Sequence, residues 1–94
     1  MDTASIVVSI AGRDQGDLFF VLTIEDNYAL IADGRTRRIG QPKRKKLKHL
    51  QFVAESKSRV AEKLRAGDKV LDSEIRRALA EFRAEYNSQN QGGN

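Results

Sequence analysis

The sequence predicts a mostly β domain with a C-terminal α segment: a small barrel followed by one or two helices. Short β-rich runs separated by turn residues fill its first half, and apolar residues at helical spacing fill the second. At 94 residues the chain has room for one small domain with a modest core.

In the first run Ile6, Val8 and Ile10 alternate with smaller residues, which reads as one apolar strand face. Leu18 to Ile24 is β-rich around Phe19, Phe20 and Val21, and Tyr28 to Ala32 supplies a third short run. Turn residues punctuate them: Gly12, Asp14 and Gly16, then Asp26 and Asn27, then Asp33 and Gly34. A further strand pair is expected through Arg37 to Ile39 and Leu47 to Val53, interrupted by Gly40 and by Pro42, which cannot donate to a central ladder.

Past Glu55 the period changes. Val60, Ala61 and Leu64 fall at helical spacing, with Ser56 or Ser58 placed to cap the segment and Gly67 to end it. A second helix is expected from Asp72 or Ser73 as cap, with Ile75, Ala78, Leu79, Phe82 and Tyr86 on one face. The Gln-, Asn- and Gly-rich end has nothing to bury and reads as a mobile tail. The expected division is a barrel over 1–54, a helical extension over 55–86 and a tail over 87–94.

Charge is segregated along the chain. The fifteen positions from Arg35 to His49 hold Arg35, Arg37, Arg38, Lys43, Arg44, Lys45, Lys46 and Lys48, together with His49 and no acid, a formal +8. The whole chain is only +4, so the remainder, nine basic against thirteen acidic side chains, is −4. Neutralising phosphates releases condensed counterions, which makes RNA or DNA the first partner such a run suggests. Solvated surface, a targeting signal at PKRKKLK (Pro42 to Lys48) and an anionic lipid surface are the other readings. In an extended segment Lys43 and Lys45 oppose Arg44, Lys46 and Lys48, so not all eight cations can meet one backbone.

Gly12 and Gly16 can bring the main chain close to a phosphate, with Arg13 between them as a contact. Asp14 and Asp17 are expected to organise that turn. Arginine bridges phosphate oxygens in a planar fork, so Arg13, Arg38 and Arg44 rank first as positioning residues. Phe19, Phe20, Tyr28 and Phe52 read as core, and Phe82 and Tyr86 as packing for the last helix. Recognition is therefore expected to favour phosphate and RNA shape over individual bases.

No cysteine is present, so disulfides, thiolate metal sites and thiol nucleophiles are excluded. No evident catalytic constellation, cofactor loop or metal cluster stands out, and the chain is expected to be non-enzymatic, without cofactor or metal. The apolar runs Ile6 to Val8 and Leu18 to Leu22 are far short of the roughly 20 residues of a membrane span, and a cytoplasmic location is expected.

The stretch from Ser5 to Gly34, SIVVSIAGRDQGDLFFVLTIEDNYALIADG, resembles the KOW motif of ribosomal proteins and NusG-type transcription factors. With AGRDQG, DNYALIADG, RRI and PKRKKLKHL, the resemblance narrows to the large-subunit ribosomal protein fourteen-e family; LDSEIRRALAEFR, Leu71 to Arg83, is similar to the helical tail of its short bacterial members. A generic KOW loop often has a third glycine where Asp17, Leu18 and Phe19 stand here, a departure that also occurs in the ribosomal subfamily. The resemblance implies an SH3-like barrel and binding to RNA, ribosomal RNA or the large ribosomal subunit above all. The alternative is a protein-interaction adaptor of the translation or transcription machinery that uses Ile75, Leu79, Phe82 and Tyr86.

Overall fold

Strand β1 (Ser5–Ser9) is covered on both faces, and this decides the architecture. In the computed structural model, which describes residues 1–92, Val7 points into a barrel interior with Phe19, Val21, Ala29, Ile31 and Leu50. Ile6 points the other way, into a second core shared with Phe20, Val60, Ala61, Val70, Ile75 and Leu79. A strand buried on both faces carries a continuous apolar run rather than an alternating one, which explains Ile6-Val7-Val8 and Leu18-Phe19-Phe20-Val21. The alternation expected through Ile10 fails on both counts, since Val7 is buried as well as Ile6 and the strand ends before Ile10, which is 45% exposed.

Five antiparallel strands lie in the order β4-β3-β2-β1-β5, where β2 is Leu18–Glu25, β3 Tyr28–Ala32, β4 Lys43–Lys46 and β5 Leu50–Glu55. The edge strands β4 and β5 are joined by one turn of 3₁₀ helix, Leu47–His49, which carries the chain from one edge of the sheet to the other. Between β2 and β3 only Asp26 and Asn27 intervene, and Asp26 takes a positive φ of 55° that an aspartate tolerates. The mostly β fold with C-terminal helices agrees with the sequence expectation.

The expected strand pair after Gly34 is corrected. Arg37 to Ile39 forms no strand beyond a single bridge from Arg38 to Gln41, because the Ile39 N–H donates to Asp72 Oδ1 at 2.8 Å. The run from Leu47 to Val53 becomes a strand only at Leu50, since Leu47 N donates to Asn27 O at 2.8 Å and the chain must first turn.

Helix α1 (Arg59–Ala66) starts where Ser58 Oγ accepts the Ala61 N–H at 3.2 Å and ends at Gly67, both as expected. Helix α2 (Asp72–Gly92) starts differently. Its first turn is closed by Glu74, whose Oε1 accepts from Leu71 N at 3.1 Å, while the Asp72 carboxylate turns away to Ile39. The helix continues through Gly92, so the tail expected over 87–94 is helical in backbone as far as 92; positions 93 and 94 lie outside the described residues. Lys63 Nζ and Glu74 Oε2, 2.9 Å apart, tie the two helices together.

The helices are built into the barrel's own second core. Ile75 and Leu79 each gain about 1.5–3 kcal/mol from this burial. The N-terminal turn of α2 also grips the loop between β3 and β4: Arg76 Nη1 donates to Gly34 O at 2.7 Å, beside the Asp72 to Ile39 bond. Gly34 has φ +75°, and a Cβ there would collide with the Asp72 carbonyl oxygen and stand 3.1 Å from Arg76 N.

Gly34→Ala is therefore expected to destabilise the protein by about 2 kcal/mol or more, lowering the melting temperature by roughly 8–16 °C. Gly16→Ala, at φ +92° but with nothing within 4 Å, carries only the backbone penalty, on the order of 1 kcal/mol. Equal melting temperatures for the two variants, followed by circular dichroism, would show that the fit of the loop against α2 is not limiting.

Candidate nucleic-acid interface

Strand β4, Lys-Arg-Lys-Lys, places its cations by simple alternation. Paired residues in an antiparallel ladder share a face, so Arg44 opposite Leu30 and Lys46 opposite Tyr28 point outward, while Lys43 opposite Ile31 and Lys45 opposite Ala29 point inward. On the inward side the Lys45 ammonium is shielded from solvent and needs acceptors from the protein. Lys45 is only 6% exposed, and its Nζ reaches Ser9 Oγ at 2.7 Å, Ala11 O at 2.7 Å and Asp14 Oδ1 at 2.5 Å. All three ammonium protons thus have an acceptor. Lys43 Nζ meets the other oxygen, Asp14 Oδ2, at 2.9 Å.

Asp14 is the anion that makes this possible. It stands in the β1–β2 loop, 14% exposed, with Ser9 Oγ 2.7 Å from its Oδ1. Burial by itself pushes the carboxyl's pKa up, but hydrogen bonds from Lys45, Ser9 and Lys43 together outweigh it and hold the group far below the ordinary carboxylate range. The expectation that Asp14 organises its turn is met, through lysines some thirty residues away. Lys45 is corrected from a nucleic-acid contact to an internal charge, and Lys43 is half committed in the same way. The polar Ser9 at the end of an apolar strand was the available signal.

The remaining cations fall into two groups. The β1–β2 and β3–β4 loops emerge at the same end of the barrel, bringing together Arg13, Arg35, Arg37 and Arg38, all exposed. Asp33 shapes their loop: its carboxylate accepts from the N–H groups of Arg35 and Arg37, each at 2.9 Å, and from the Thr36 hydroxyl at 2.9 Å. Partial burial raises the Asp33 pKa, yet these donors prevail and the carboxyl lies below its ordinary value.

Arg44, Lys46 and Lys48 form the second group, along the outer face of β4 and the turn after it. The Arg44 guanidinium lies 3.6 Å from the centroid of the Tyr28 ring, a cation–π stack that fixes its plane. His49 is half-buried beside them, its carbonyl accepting from Ile10 N at 2.9 Å. Among the described residues, none of the six outward cations of the basic window forms an ion pair.

Gly12 and Gly16 have φ of +85° and +92° and leave exposed main chain at the loop end. Phe19 and Phe20 are core as expected, whereas Tyr28 is half-buried under Arg44 and Phe52 is 46% exposed. Of the helix residues offered as a partner face, Ile75 and Leu79 are buried in the chain's own core, and Tyr86 is open at 49%. Arg76 and Arg83 of α2, which the sequence reading passed over, share a groove with Arg35. The signal was present for Arg83, whose neighbours three and four positions away are Leu79, Ala80, Tyr86 and Asn87, none of them acidic.

Among the described residues, no group of three or more His, Cys, Asp or Glu side chains could hold a metal ion, and no helix is long and apolar enough to cross a membrane. Compared with protein-family models and with curated protein sequences, the chain matches none.

Asp14→Asn leaves Lys45 without a full countercharge, and Lys45→Met leaves the Asp14 carboxylate with Lys43 alone, so each is expected to cost about 2–4 kcal/mol at pH 7, whereas replacing the pair together by apolar residues costs less than about 1 kcal/mol. Because the folded-state pKa of Asp14 is depressed, its stabilisation is complete above the unfolded carboxylate value, about 3.9, and is lost as pH falls below it. Urea unfolding at pH 7, 4 and 2.5 should show this acid loss in the wild type and a smaller one in Asp14→Asn; parallel pH profiles would refute the assignment.

Proposed function

We propose that the chain is a non-enzymatic RNA-binding domain that engages structured RNA by phosphate and shape recognition, with ribosomal RNA of the large subunit as the expected partner. The observation that carries this reading is the set of six outward cations, unpaired among the described residues, Arg35, Arg37, Arg38, Arg44, Lys46 and Lys48, supplied by one fifteen-residue window to one end and one outer face of the barrel. A set of like charges clustered in this way suits a polyanion, whose phosphates can meet several of them at once. Arg44, its plane held by Tyr28, is suited to a directional contact that a mobile lysine cannot make.

The choice of ribosomal RNA rests on the resemblance to the fourteen-e family across the Gly12 to Gly16 loop and the Pro42 to Leu50 segment. The adaptor alternative is the weaker reading, since Ile75 and Leu79 are occupied within the chain's own core.

Six phosphate contacts predict a slope of roughly −4 to −5 for log affinity against log salt. Replacing Arg37, Arg38, Arg44 and Lys46 together by Ala should abolish co-sedimentation with ribosomes while the melting temperature holds. Lys45→Met should leave co-sedimentation intact despite removing a positive charge. Salt-independent binding, or ribosome association unaffected by the fourfold replacement, would sink the proposal.

A further inference from the structure

Beside the loop end of the barrel two depressions meet, and their chemistry differs. The first, about 440 Å³, runs between the β3–β4 loop and α2 and is lined by Arg35, Arg76 and Arg83. Two acids also border it. Asp33 is occupied by the backbone donors of its own loop, while Asp17 lies exposed at the rim. Arg76 gives one N–H to Gly34 O and keeps four further donors; among the described residues neither Arg35 nor Arg83 is in an ion pair.

The second depression, about 290 Å³, shares Gly16, Leu18 and Arg83 with the first and continues over Val8, Val53, Phe82 and Tyr86. Phe82 and Tyr86 are stacked, with ring centroids 6.0 Å apart and planes inclined by 24°. Phe82 is partly buried against the barrel–helix core, so it backs the Tyr86 ring, which is 49% exposed. A supported aromatic face continuous with a row of arginines is the combination that binds single-stranded nucleic acid, with bases on the ring and phosphates on the cations.

We infer that this composite groove is a site for a single-stranded RNA segment, with phosphates held by Arg35, Arg76 and Arg83 and one base stacked on Tyr86. The inference rests on the RNA-binding reading and deepens it, because it gives α2 a direct part in recognition and adds a preference for unpaired nucleotides. The charge on α2 is arranged accordingly. Arg76 and Arg83 face the groove, while the acids Glu74 and Glu81 line a separate depression with Arg77.

The test measures fluorescence anisotropy of a labelled twelve-nucleotide oligo(A) strand and of a twelve-base-pair RNA duplex. Tyr86→Leu should weaken the single strand by roughly 5- to 150-fold and the duplex by less than about twofold. Arg83→Gln should lower the salt slope for the single strand by about 0.7. Both side chains are largely outside the core, and an unchanged melting temperature verifies the fold. If both variants bind both RNAs as the wild type does, as they would if the groove served a protein, the inference falls. The Arg37, Arg38, Arg44 and Lys46 fourfold Ala variant separates the two levels: weakened binding there with unaffected α2 variants overturns the groove and leaves the RNA reading standing, while no binding of either RNA by the wild type removes that reading itself.

Discussion

An ammonium group turned into the wall of a small barrel must find an anion, and this constraint organises the basic half of the chain. Lys45 satisfies it with Asp14, Ser9 and the Ala11 carbonyl, and Lys43 adds a second ammonium to the same carboxylate. The cluster joins an edge strand to the β1–β2 loop across the end of the barrel. A buried pair of this kind contributes little net stability compared with an apolar replacement, but losing one partner is costly. Its consequence is positional: the β1–β2 loop carrying Arg13 is held against the strand carrying Arg44 and Lys46.

The helices complete the same end of the molecule from the other side. Because β1 and β2 present apolar side chains on both faces, an isolated barrel would expose Ile6, Leu18 and Phe20. Burying them under α1 and α2 places the first turn of α2 against Gly34, where Asp72 and Arg76 hold the β3–β4 loop. The loop that projects Arg35, Arg37 and Arg38 is thus fixed from within by Asp33 and from behind by the helix. Helix and basic loop form one unit, which is why a groove lined by both exists at all.

Much of the architecture was legible because local signals and tertiary demands agree. The runs of β1, β2 and β3, the Asp26-Asn27 turn, and Ser58 and Gly67 at the ends of α1 all follow from short-range chemistry. Misreadings arose where a distant partner took over a backbone or side-chain group. Ile39 gives its N–H to Asp72, thirty-three residues later, so the local β pattern is not realised. Ile10 continues an alternating pattern after the strand has ended. The alternation of β4 was readable, but not which side was dry, because that depends on Asp14 lying beneath it.

The register of β4 shows why charge count and charge function differ. Strand register is normally specified by a hydrophobic period of two, and Lys-Arg-Lys-Lys has none. A one-residue slip would exchange the sets, sending Arg44 and Lys46 inward and Lys43 and Lys45 out. The flanks resist this, since Leu47 packs against the barrel core. Chemistry resists it as well. The flexible lysine stem can lower a compact ammonium into the three acceptors around Asp14, whereas a planar guanidinium in the same place would need five acceptors in a wider fork. Arg44 finds its partner outside, on the face of Tyr28. The arginine at position 44 and the apolar Leu47 together favour the observed register, and the register determines which charges remain for a partner.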